Sequence, residues 1–324
     1  MPLSITLPHI RRLPAAPLAI SALLGLAACG GGEQVSKFEA TRVIAFGDES
    51  SVIVDSDIAG NGRKYTINGT TSATDLTRDC RVNPIWIQDV AGKYGLVFPQ
   101  CNLAGVVAPR SRIRAAAGAR AADVAAQVDA QVAESAIGSG DLATVLVGEN
   151  DVVAAYSAYP TQTEDQIAQT LRDAGGAAAR QVNRLADLGA RVVVSTIIDV
   201  GVTPFGRAEK ASHTDTDRAA LLTRLTAAYN SGLRGTLVND GRRIGLALLD
   251  EYVSVTAKFP GLNGILNSSD AACVPPSSLD CTAQTLVTGA TTTSWLWADA
   301  LRLSPAGQSS LSTLAHDRLD RNPF

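Results

Sequence analysis

The 324 residues contain no Cys-x-x-Cys and no His-x-x-x-His spacing, which argues against a structural zinc site or a metal pair on one helix face. Histidine is scarce. Past the N-terminal region only His213 and His316 remain, so chemistry that needs an imidazole has two candidates, and both lie in segments that read as surface. Positive charge is not clustered, and the formal net charge of −3 excludes a nucleic-acid surface of the usual kind. No internal repeat and no second periodic block occurs, so the pattern reads as one domain. The N-terminal apolar run, Leu18 to Leu26, is too short for a permanent membrane helix.

That run has a role of another kind. Arg11 and Arg12 precede it and Leu26-Ala27-Ala28-Cys29 follows it, which gives the three parts of a bacterial export signal. The ending at a cysteine resembles the lipobox of bacterial lipoproteins, which implies a diacylated Cys29 as the first mature residue and a membrane partner through that anchor. Gly30 rather than aspartate follows, which by the same resemblance favours the outer membrane. An ordinary cleaved signal with a chance cysteine is the other reading. Removing residues 1–28 from the 324 leaves 296, enough for one full core. The loss of Arg11 and Arg12 takes the charge from −3 to −5. Residues 29–40, opening on Gly30-Gly31-Gly32, read as a lipidated flexible tether, and 41–324 as the domain.

Four cysteines remain beyond the anchor: Cys80, Cys101, Cys273 and Cys281. An even count in an exported chain argues for two disulfides. Of the three connectivities four cysteines allow, proximity favours Cys80 with Cys101 and Cys273 with Cys281.

Short β-branched runs alternate with amphipathic segments. The expected strands are Arg42 to Phe46, Gly95 to Phe98, Thr144 to Val147, Arg191 to Thr196 and Ile244 to Leu249. Helical spacing covers Arg120 to Ala136, Glu164 to Leu188 and Asp217 to Leu237. A last helix opens at Ser304-Pro305, a cap serine with proline at the first helical position, and runs to about Leu319. This alternation predicts an α/β fold, a three-layer α/β/α sandwich with a mainly parallel central sheet. Two polar stretches interrupt it. Ser56 to Asp79 reads as an excursion outside the core with a hairpin around Asn68-Gly69. Gly261 to Thr293 reads as an extended loop of the sort that often covers a functional mouth.

Four segments in order carry a resemblance to the SGNH/GDSL hydrolases. They are Gly47-Asp48-Glu49-Ser50 after the first strand, Ala116-Ala117-Gly118-Ala119-Arg120 before a helix, Gly148-Glu149-Asn150-Asp151 after a strand, and the run from Trp297 to Gly307 with Asp299, Arg302 and Ser304-Pro305. Asp199-Val200-Gly201-Val202-Thr203-Pro204 further resembles the autotransporter-like esterase branch. The resemblance implies an SGNH-like fold and an oxyanion hole built from the Gly118 N–H and the Asn150 amide. It implies no cofactor and no metal.

The same resemblance exposes two departures. Glu49 stands where the family carries its nucleophilic serine, and Arg302 stands where it carries the histidine base. Arginine stays protonated at any physiological pH, so Asp299 has no base to orient. Ser50 is an alternative nucleophile, but in a helix-like turn one residue rotates the side chain by about 100°, away from Gly118 and Asn150. A Glu49/Asp299 acid pair of the glycosidase type is another alternative. The more economical expectation is that Glu49 points its carboxylate at the donors of Gly118 and Asn150, while Arg302 supplies the counter-charge. The sequence thus predicts an envelope lipoprotein on a degenerate esterase scaffold, binding an acyl or glycan ligand or serving as an interaction module. An active ester or acetyl-ester hydrolase is the alternative.

Overall fold

The computed structural model describes residues 1–4, 37–238 and 241–321. Residues 5–28 of the expected export signal, the expected anchor at Cys29 and residues 29–36 of the expected tether therefore lie outside the described residues. Residues 1–4 form no helix or strand, and the remaining description concerns the unit that begins at Lys37.

Five strands form a parallel sheet: β1 (Arg42–Gly47), β4 (Arg112–Ile113), β5 (Asp141–Leu146), β6 (Arg191–Ser195) and β7 (Ile244–Ala247), in the order β4-β1-β5-β6-β7. Near-continuous apolar runs make this arrangement possible. Every residue of β5, and all but the first of β1 and β6, is buried, as expected for strands covered on both faces. One face is covered by α2 (Val124–Glu134), α3 (Glu149–Tyr156), α4 (Glu164–Asp187) and α6 (Arg218–Thr236), which pack on one another. On the other face α1 (Trp86–Gly92) packs against α8 (Pro305–Arg321). Helices α5 (Pro204–Ser212) and α7 (Leu249–Lys258) complete the set. The result is the three-layer α/β/α sandwich. Among the described residues no helix is long and apolar enough to cross a membrane.

Three expectations need correction. Gly95 to Phe98 is not a strand. Gly95 turns with φ +66°, the Leu96 N–H donates back to the Ala91 carbonyl at 3.0 Å, and Phe98 fills the core without strand pairing. The edge place in the sheet goes to β4, only two residues long. No hairpin forms at Asn68-Gly69 either. The excursion's antiparallel pair is β2 (Ile53–Val54) with β3 (Arg63–Lys64), and the Asn68 side chain is buried among backbone carbonyls instead.

Nor is the excursion outside the core. Ile67 is fully buried in a small second core with Ala272, Cys273, Cys281 and Ala298. The Asn68 N–H donates to the Cys281 carbonyl at 2.8 Å, and Arg63 pairs with Asp280 at 2.6 Å. Thus the two polar stretches are knitted together. The second includes β8 (Asn267–Ala271), which runs parallel to β9 (Trp295–Trp297) and delivers the chain to Asp299. Both disulfides form as proximity favoured, Cys80–Cys101 and Cys273–Cys281.

Candidate functional site

In a doubly wound sheet of this order the crevice lies beyond the carboxyl ends of the strands where connections diverge, here β1 and β5. A glycine at positive φ whose added Cβ would clash stands at the end of β1, Gly47, and two residues past β5, Gly148. Gly47 has φ +122°, and a Cβ there would stand 1.8 Å from the Leu146 carbonyl oxygen. Gly148 has φ +132°, and its Cβ would meet the Tyr229 ring at 2.2 Å. The two turns aim the following residues at one point. Asp48 caps a short 3-10 turn, Glu49–Ser51, by accepting from the Ser50 N–H at 3.0 Å. Helix α3 starts at Glu149, directly after Gly148.

There Glu49 fills the space between four segments. Its Oε2 accepts from the Gly118 N–H at 2.9 Å and from Asn150 Nδ2 at 2.9 Å. Its Oε1 takes Arg302 Nη2, and Arg302 Nη1 goes to Glu149 Oε2. Asn150 is held in place by a second bond from Nδ2 to the Ala119 carbonyl at 3.0 Å. The three charged side chains are only 10% (Glu49), 7% (Arg302) and 3% (Glu149) exposed. One guanidinium therefore bridges two carboxylates, and one of those is seated on two further donors.

Asp299 does not join this cluster through its own carboxylate. Its Oδ1 accepts from the backbone N–H groups of Leu301 (2.9 Å) and Arg302 (2.8 Å), and its Oδ2 from Ser278 N–H at 3.1 Å. It shapes the loop that carries Arg302. Ser50 is buried, and among the described residues no histidine hydrogen-bonds its hydroxyl. His213 Nδ1 lies 3.0 Å from the Glu209 carbonyl at the end of α5. His316 differs from its reading as a surface residue, since it is half-buried on α8 with Nε2 enclosed.

Three residues that pattern reasoning missed complete the centre: Asp48, Glu149 and Tyr65. Burial pushes the Asp48 carboxyl up to about 7, with Arg302 opposing and Glu49 adding to the rise. Burial likewise pushes Glu149 up to about 8 against the pull of Arg302. These groups titrate as a set. The proton sits best on Asp48, whose Oδ2 is buried without a hydrogen-bond partner, because a neutral carboxyl costs least there. Glu149 faces the guanidinium and keeps its charge. The Arg302 charge is itself held more firmly than usual, for Glu149 and Glu49 outweigh the opposing effect of burial. Tyr65, half-buried on the excursion, is pushed up by burial and by the nearby Glu49 charge. Glu149 was visible as the variable position of Gly-x-Asn-Asp, where an acid directly after a buried strand signals a partner. Nothing in the sequence marks Tyr65.

A groove of about 720 Å³ lies elsewhere, lined by Thr41, Arg42 and Asp141 at the opposite ends of β1 and β5. The cluster has no part in it.

The family model described as GDSL-like lipase/acylhydrolase matches residues 44–265, a stretch that includes Glu49, Gly118, Glu149 and Asn150. Among solved structures, an acetylxylan esterase from Geobacillus stearothermophilus is 12% identical, with 87% of this chain and 96% of that one covered and a TM-score of 0.43. A member of the lipolytic protein G-D-S-L family from Veillonella parvula is 10% identical, with coverage of 86% and 98% and a TM-score of 0.43. An alpha/beta hydrolase enzyme from the metagenome of Lake Arreo is 14% identical, with coverage of 87% and 97% and a TM-score of 0.42. Likenesses this distant say nothing of activity or substrate. No curated protein sequence matches significantly.

Proposed function

The chain belongs to the GDSL-like lipase/acylhydrolase family, and we propose that it is a catalytically degenerate member, anchored in the cell envelope at Cys29 and acting by binding rather than by ester hydrolysis. The observation that carries this reading is the Glu49 carboxylate seated on Gly118 N–H and Asn150 Nδ2 and clamped by Arg302. Serine hydrolysis needs a hydroxyl, a base to take its proton and free donors for the developing oxyanion. Here the group on the donors is already an anion, and the group beside it cannot accept a proton.

The role left to the scaffold is recognition, of an acyl or glycan ligand over the capped seat or of another envelope component. The anchor reading draws its support from the sequence, namely the charged start, the short apolar run and Leu26-Ala27-Ala28-Cys29. Purified protein is expected to turn over no short-chain nitrophenyl ester and to take no fluorophosphonate label. Ester turnover abolished by Ser50→Ala would overturn the reading. Mass spectrometry of membrane-extracted protein is expected to find an acylated Cys29 with nothing before it, and a soluble mature form starting elsewhere would sink the anchor.

A further inference from the structure

Glu49 is held as a bound ligand would be held. One carboxylate oxygen takes two neutral N–H donors and the other takes a guanidinium, the pattern by which proteins seat free carboxylates. The donors are fixed independently of Glu49. Asn150 is tied to the Ala119 carbonyl, Arg302 is tied to Glu149, and the Arg302 loop is shaped by Asp299. The seat also opens outward, because Gly118 is exposed and a Cβ there would meet nothing within 4 Å.

We infer that this centre is a self-capped binding site for a small carboxylate, with Glu49 as its built-in occupant and acetate as the free anion that fits once Glu49 is shortened. The inference rests on the reading of Glu49 as the plug of the family's donor pair. Its size argument is stoichiometric. Replacing glutamate by alanine removes a methylene and a carboxylate, which is acetate less one hydrogen. The vacated space therefore matches acetate, leaves formate loose and gives propionate one carbon more than it holds against the buried Arg302 and Glu149 side of the seat. In the parent chain an outside carboxylate must expel a tethered one whose effective concentration is far higher, so the resting site stays shut to free anions.

The test is a set of acetate titrations of Glu49→Ala and of the parent at constant ionic strength, read by thermal unfolding, since a ligand of the folded state raises the midpoint saturably. The alanine variant is expected to bind acetate at least about tenfold more tightly than the parent, with formate and propionate both weaker than acetate. Adding Asn150→Ala to the variant is expected to abolish the response. Glu49→Gln keeps the seat filled and is expected to stay unresponsive. An alanine variant with no saturable acetate response, whether folded or unfolded in its absence, overturns the inference, as does a glutamine variant or parent that responds equally well. Ester turnover by the parent would defeat the degenerate reading alone, whereas missing acetate binding by the Glu49→Ala variant, with no ester turnover by the parent, would defeat this inference alone.

Discussion

Arg302 and Lys64 are two buried cations of the same domain, one met by carboxylates and the other by backbone carbonyls. Arg302 faces Glu49 and Glu149, with Asp48 close behind. Among the described residues no acid pairs with Lys64. Its Nζ donates to the carbonyls of Cys80 (2.7 Å), Val82 (2.9 Å) and Asn83 (2.7 Å), which uses all three ammonium protons. Around Arg302 burial pushes the Asp48 and Glu149 carboxyls up, with the neighbouring acids adding to the rise and the guanidinium opposing it. Around Lys64 no full counter-charge is present, so burial pulls the ammonium down to about 7, with Asp79 and Asp89 opposing from a distance. The first environment is a cluster that stores a proton. The second is a clip that holds the 80–83 turn and, through β3, fixes the excursion that carries Tyr65.

The largest expected effect comes from removing the shared cation. Arg302→Ala strands Glu49 and Glu149 and is expected to destabilise the fold by about 3–5 kcal/mol in denaturant unfolding. Glu49→Ala is expected to cost less, about 1–3 kcal/mol, because Glu149 still meets Arg302 and only the Gly118 and Asn150 donors go unfilled. The double change is expected to cost less than the sum of the two, while additive costs would show that the pair is not coupled. Lys64→Met takes the Lys64 donor from the part-buried Val82 and Asn83 carbonyls, while the Cys80 carbonyl keeps Gln88 Nε2 at 3.1 Å, and about 2–3 kcal/mol is expected for it. A loss as large as that of Arg302→Ala would erase the distinction between the two sites.

The pH dependence separates the sites by sign. Asp48, which holds the proton of its set, has a folded value of about 7 against an ordinary value of 3.8. The folded chain then binds more protons than the unfolded one across that window. The Asp48 contribution is full below about pH 4 and falls as pH rises through 7. Lys64 runs the other way, with a folded value of about 7 against 10.5. Its contribution is lost below pH 7 and grows as pH rises toward 10.5. Asp48→Asn is expected to flatten the decline between pH 5 and 8, and Lys64→Met to remove the gain above pH 8, in unfolding curves taken across that range. Unchanged slopes in either variant would show that its group does not titrate in that window.

Elements with a strong period were legible in the sequence. The buried runs of β1, β5 and β6 and the amphipathic spacing of α4 and α6 are long enough that burial on both faces, or on one stripe, leaves a pattern. Two-residue β4 is too short to leave one, and Gly95 to Phe98 is apolar because it packs under a turn, which alternation alone cannot distinguish from a strand. Asn68-Gly69 has hairpin chemistry, but Asn68 spends its side chain on carbonyls of both polar stretches, a long-range contact invisible locally. In the centre, Glu49, Gly118, Asn150 and Arg302 were findable because they occupy motif positions. Asp299 was findable too, though it holds backbone rather than a side chain. Glu149 could have been found at the variable position of Gly-x-Asn-Asp, whereas Tyr65 belongs to the centre only through folding, from an excursion far from the motifs in sequence.

Ester turnover by the Glu49→Ser, Arg302→His double variant tests the central claim most directly. That change frees the donors of Gly118 and Asn150 and sets a hydroxyl and an imidazole where a carboxylate and a guanidinium now meet. Detectable nitrophenyl ester hydrolysis with fluorophosphonate labelling at position 49, both absent in the parent, is the expected result. A folded double variant with neither, or a parent already active, would contradict the account.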